Sequence, residues 1–120
     1  MLNIEATSTS PQVTFDERQN IFLIDGESYP ENSFDFYKPV FKWFDDVFPT
    51  LDKLELHLKI SYMNSSSVKC ILDIMTILDD AYTEGKNCKI KWFYEEENSR
   101  SLELAEDFKE DFKLPFEVLT

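Results

Sequence analysis

A chain of 120 residues is one domain's length, and its 12 basic side chains against 24 acidic ones leave a formal charge of −12, which repels nucleic-acid backbones and anionic membrane surfaces alike. Eleven Phe and an apolar share of 42% supply a core and argue against a disordered chain. Two glycines, one histidine and two cysteines leave too little material for a glycine-rich phosphate cradle or a zinc site, so neither cofactor nor metal is expected.

Met1–Ser10 has no basic start followed by an apolar run, and no stretch reaches about eighteen apolar residues, so a cytoplasmic protein is expected. Cys70 and Cys88 lie in apolar stretches and read as buried, reduced thiols. No boundary divides residues 1–120. Short strands are expected over Leu2–Ala6, Gln12–Phe15 and Asn20–Ile24, the last two forming a hairpin around the polar Asp16–Gln19. Gly26–Ser33 reads as a loop in which Asn32 or Ser33 caps the next helix. Tyr37, Val40, Phe41, Phe44, Val47 and Phe48 recur at helical spacing until Pro49. Trp43 and Phe36 lie off that stripe, as candidate partner contacts or as the edge of a wider core face.

Leu54, Leu56, Leu58, Ile60 and Tyr62 then alternate with Glu55, His57, Lys59 and Ser61, the period of a strand. Val68, Ile71, Leu72, Met75, Leu78 and Tyr82 make a second helical stripe closed by Gly85. Cys88, Ile90, Trp92 and Tyr94 form another strand, Leu102–Phe112 a third helix, and Leu114–Leu119 a returning edge strand. Strand, helix, strand in succession implies parallel neighbours with right-handed crossovers. Parallel strands covered on both faces read as continuous apolar runs. These carry Glu55, His57, Lys59, Lys89 and Lys91 on one side, so the expected fold is a single α/β domain, a mixed sheet with helices packed mainly on one face.

Tyr62-Met63-Asn64-Ser65-Ser66-Ser67-Val68-Lys69 joins a strand's carboxyl end to a helix N-terminus. Its hydroxyls can cap the helix, bind an anion, or accept a phosphoryl group from a kinase. A phosphate there gains about 0.3–2 kcal/mol from the helix dipole, so the fold tolerates it. It also adds about −1.5 to −2 charges, whose desolvation in an apolar interface costs several kcal/mol. Such a turn can therefore switch binding without unfolding anything.

The strand, turn and helix are similar to the phospho-acceptor turn of STAS-type anti-sigma-factor antagonists, with Asn64 for their Asp and Ser67 for their Gly. Along nearly its whole length the chain resembles the SiaC family of bacterial regulatory phosphoproteins. That likeness rests on Gly26–Ser33, on Leu56–Ile60 with Tyr62–Lys69 and Leu72-Asp73-Ile74, and on Trp92–Asn98. The resemblance implies a STAS-like domain and a partner switch without catalysis of its own. A cognate kinase phosphorylates the residue after the motif's Asn, a PP2C-type phosphatase reverses this, and the unmodified form binds and activates a diguanylate cyclase. Carried onto this sequence, the acceptor is Ser65, whereas the STAS pattern would make it Ser66. Tyr29, Pro30, Glu31, Asn32, Tyr62, Asn64, Ser67 and Lys69 then form the partner-binding rim, with Lys69 able to pair with a phosphate or to stay solvated.

Asp45-Asp46, Asp79-Asp80 and Glu95-Glu96-Glu97 read as solvated segments, and His57 as a surface residue on a strand's polar side. Two other functions stay open at this level. A constitutive STAS-like ligand-binding or anti-sigma-antagonist domain would hold an apolar cavity under the sheet. A small hydrolase would gather the Asp pairs or Glu95–Glu97 in a deep pocket with raised carboxylate pKa values.

Overall fold

The computed structural model describes residues 2–120. Its strands are β1 (Asn3–Ile4), β2 (Gln12–Asp16), β3 (Ile21–Ser28), β4 (Lys53–Met63), β5 (Asn87–Phe93) and β6 (Phe116–Leu119), and its helices are α1 (Ser33–Asp46), α2 (Ser65–Thr83) and α3 (Ser99–Asp111). The six strands form one sheet in the order β1-β2-β3-β4-β5-β6. The first three pair antiparallel and the rest parallel, giving the expected mixed sheet. With strand order following chain order, three right-handed crossovers put all three helices on one face. Between sheet and helices the space is filled by Phe22, Ile24, Leu56, Leu58, Ile71, Met75, Ile90 and Trp92, all fully buried. Trp92 also places its indole N–H 3.0 Å from Ser101 Oγ and its ring against Phe108.

The opposite face stays open. Glu55, His57, Lys89 and Lys91 stand on it, with Glu55 bonded to His57 at 3.0 Å and Lys89 to Glu117 at 2.6 Å. Near the strands' carboxyl ends this face holds a groove of about 450 Å³, lined among others by Asp25, Lys59, Ser61, Phe93 and Asn98. Cys70 and Cys88 are buried free thiols.

Several expectations are corrected. The first strand is only Asn3–Ile4. Gly26-Glu27-Ser28 belong to β3 and not to a loop, because the long β4 gives them a parallel partner. The pairing slips between Gly26 and Glu27: Gly26 faces Ile60, but Glu27 faces Tyr62, so Ser61 bulges out of β4. Gly26 takes φ +134° there, a backbone that side chains resist. One extra residue re-phases the alternation, and Tyr62, expected on the buried side with Ile60, is 49% exposed. Trp43 is 7% exposed and packs on Phe15 and Phe22, so it is core and not a partner contact. Phe36 is half-buried, edge-on against Tyr37. α1 ends at Asp46, and Pro49 sits in a separate 3-10 turn, Phe48–Thr50. Asp79 is no solvated ornament either, since it accepts the Lys113 and Leu114 amides at 2.9 and 3.0 Å and so anchors the chain entering β6.

Candidate functional site

Each helix begins where a parallel strand ends, and each begins with Asn followed by Ser: Asn32-Ser33, Asn64-Ser65 and Asn98-Ser99. In every case the Asn side chain accepts the backbone N–H three residues on, which is why these segments turn into helix at that point. Asn64 carries more than a cap. Its Oδ1 accepts Ser67 N–H at 2.9 Å and lies 3.3 Å from both Ser33 Oγ and Ser66 Oγ, while its Nδ2 reaches Pro30 O at 3.4 Å. Its own N–H donates to Ser28 O at 3.0 Å. The Asn64 turn is thus tied to the entry of α1.

The three consecutive serines have three different environments. Ser65, the first residue of α2, is exposed and makes no side-chain hydrogen bond with any described residue. Ser66 is half-buried and turned inward, its hydroxyl donating to Ser33 Oγ at 2.9 Å. Ser67 is 0% exposed. Its hydroxyl lies 2.8 Å from Ser28 Oγ and 3.0 Å from Ser33 Oγ. Ser67 therefore stands behind the expected rim and not on it, and the same correction applies to Pro30, whose ring is buried.

These hydroxyls form a chain with one consistent direction. Ser28 gives its single proton to Ser67, so the bond of 2.7 Å between Ser28 and Tyr37 must be donated by Tyr37. Ser67 then donates to Ser33, and Ser33 to Asn64 Oδ1, with Ser66 joining as a second donor to Ser33. Ser28, Ser33 and Tyr37 are buried, and every buried member has a partner. Sequence reasoning missed this network. In the sequence Ser33 reads as a cap or part of the rim motif, Tyr37 as an apolar stripe residue, and Ser28 as loop.

Burial pushes the Tyr37 hydroxyl up to about 12 from its ordinary 10. The neutral form is thus the one the fold stabilises. Its contribution is fully present below pH 10 and is lost as pH rises through the folded value, about 2–3 kcal/mol over that window. Thermal midpoints measured from pH 9 to pH 12 should fall, and should fall less in Tyr37→Phe. An equal fall in both proteins would remove Tyr37 as the cause.

The strand ends and helix entry next to this turn carry exposed aromatics. The rings of Tyr29 and Tyr62, 37% and 49% exposed, meet edge to face with centroids 5.7 Å apart. Phe34, next to Ser33 and 59% exposed, was not singled out by its sequence position. Glu31 and Asn32 are exposed beside them, Asn32 engaged in capping α1. Lys69 is exposed and pairs with Asp73 at 2.8 Å across one turn of α2. Elsewhere, the Asp pairs sit on separate helices, and Glu95–Glu97 are exposed. The carboxylates of Glu55 and Glu117 are held below their ordinary value by hydrogen bonds from His57 and Lys89, the reverse of what a carboxylate acid needs.

Likeness to known proteins runs over nearly the whole chain. The model of the SiaC family of regulatory phosphoproteins matches residues 4–120. An uncharacterized protein of Pseudomonas aeruginosa strain UCBPP-PA14 is 35% identical over 118 residues, covering 98% of this chain and 94% of that one. The crystal structure of apo-SiaC from Pseudomonas aeruginosa superposes with a TM-score of 0.90 at 33% identity, covering 99% of this chain and 98% of that one. A chain of the crystal structure of the diguanylate cyclase SiaD in complex with its activator SiaC, from the same organism, gives 0.94 at 34% identity with the same coverage.

Proposed function

The chain belongs to the SiaC family of regulatory phosphoproteins, and from that premise we propose that it is a partner switch whose state is written on Ser65. Unmodified, it docks on and activates a diguanylate cyclase, as SiaC is the activator of SiaD in the homologous complex. Phosphorylated by a cognate kinase it releases the cyclase, and a PP2C-type phosphatase restores it. It works by docking, with no catalysis of its own, in the cytoplasm.

One observation carries this reading. Of the two candidate acceptors, Ser65 alone is exposed with its hydroxyl unengaged, and it sits at the α2 N-terminus just after the exposed Tyr62, whose ring meets that of Tyr29. The helix N-terminus accommodates the dianion. The aromatics supply the kind of surface that anchors a protein partner. A phosphate placed among them puts charge where the partner brings apolar surface, so modification and docking exclude each other.

Incubation with the cognate kinase and ATP, followed by peptide mapping, should place a single phosphate on Ser65. Phosphate confined to any residue other than Ser65 would contradict the assignment.

A further inference from the structure

The open groove, the aromatic rim and the hydroxyl chain are the features that stand out beyond the acceptor itself, and the hydroxyl chain carries an inference of its own. We infer that Ser33, a residue on another helix, selects which of two adjacent serines is modified, by holding the Ser66 hydroxyl inward and leaving Ser65 as the acceptor. This rests on reading the turn as a phosphoryl acceptor.

In the transfer, the serine oxygen forms a bond to the γ-phosphorus of ATP. The bond from that phosphorus to the bridging oxygen of ADP breaks, and the hydroxyl proton passes to a basic group of the kinase. An acceptor hydroxyl must therefore offer a lone pair to the incoming phosphorus and its proton to an outside base. Ser66 does neither. Its proton points at Ser33 Oγ 2.9 Å away, and its oxygen also lies 3.3 Å from Asn64 Oδ1 in a half-buried position. Ser33 is well suited to hold it, being 2% exposed and bonded on its far side to Ser67. With Ser67 and Ser66 donating to it and its own proton given to Asn64, Ser33 uses both lone pairs and its hydrogen. The chain continues through Ser67 and Ser28 to Tyr37, all fully buried, so Ser33 cannot turn away without breaking bonds in the core. Ser65, one residue earlier, is exposed and its hydroxyl bonds to no described residue, so it has no such restraint. Ser33 is thus a positioning residue for the modification, acting through Ser66.

The test uses the full chain, the cognate kinase and ATP, with phosphate mapped residue by residue. Wild type should carry phosphate on Ser65 and Ser65→Ala almost none on Ser66. The double variant Ser65→Ala, Ser33→Ala should carry at least tenfold more on Ser66 than Ser65→Ala alone. Ser33→Cys in place of Ser33→Ala, whose thiol fills the same space but is a weak acceptor, should release Ser66 in the same way if the alanine variant does not fold. Equal labelling of Ser66 with and without the Ser33 change would overturn the inference while leaving the acceptor turn standing. Wild type unlabelled at both serines would overturn the acceptor reading, and this inference with it.

Discussion

Ser65→Glu is expected to weaken the complex with the cyclase about a hundredfold or more while moving the thermal midpoint by no more than about 4 °C. The two halves of that expectation have separate causes. At the first position of α2 a carboxylate faces unpaired first-turn amides and the positive end of the helix dipole, which favours it by about 0.3–1 kcal/mol. Ser65 is exposed and its hydroxyl bonds to no described residue, so its replacement breaks no side-chain hydrogen bond among them. Binding is another matter. The new charge follows closely on Tyr62, whose ring meets that of Tyr29, and covering these rings and the turn with an apolar partner would strip it of water. About 3 kcal/mol of uncompensated desolvation is enough for a hundredfold loss. Titration of the cyclase with both proteins, with melting curves run alongside, reads the two halves independently. Full affinity in the variant would mean that the docking surface lies away from this turn.

The same substitution two residues later should do the opposite. Ser67→Glu is expected to destabilise the fold by about 4 kcal/mol or more, a large part of the 5–15 kcal/mol or so that holds a domain together. Ser67 has no exposed surface, and its oxygen is closed in by Ser28 and Ser33. A glutamate there must bury an unpaired charge and force apart the entries of α1 and α2. Ser67→Ala should cost about 1–3 kcal/mol, because the Ser28 proton loses its acceptor without any gain in volume. Urea denaturation of the three proteins gives the comparison. A Ser67→Glu midpoint close to wild type would show that the third hydroxyl is not sealed in the core, and the distinction drawn among the three serines would fail.

Much of the fold is legible in the sequence because hydrophobic periodicity is a local signal. Leu54, Leu56, Leu58 and Ile60 point to one face of β4, the apolar stripe from Val68 to Tyr82 marks α2, and Asn32-Ser33 marks the capped start of α1. The polar residues between those leucines also indicate correctly that one face of the sheet is uncovered. What periodicity cannot carry is phase. The bulge at Ser61 depends on how β4 lies against β3, and it turns Tyr62 outward although the alternation assigns it inward. Trp43 falls off the α1 stripe on a helical wheel, yet Phe15 and Phe22 come from two strands to cover it.

The candidate turn could be found from its serines and its place between strand and helix. Which of those serines is free could not. That depends on Ser28, Ser33 and Tyr37, which lie some thirty or more residues upstream of Ser66 and Ser67 and meet them only when α1 and α2 start side by side. Phe34 escaped notice for a related reason. A single aromatic in the first turn of a helix reads as core until the neighbouring elements are seen to leave it uncovered.

The most direct measurement is a calorimetric titration of the cyclase with two preparations of this chain, one unmodified and one carrying phosphate on Ser65 alone. Tight binding by the first and a loss of a hundredfold or more in the second is the expected result. Indistinguishable isotherms for the two would contradict the switch, whatever else the turn does.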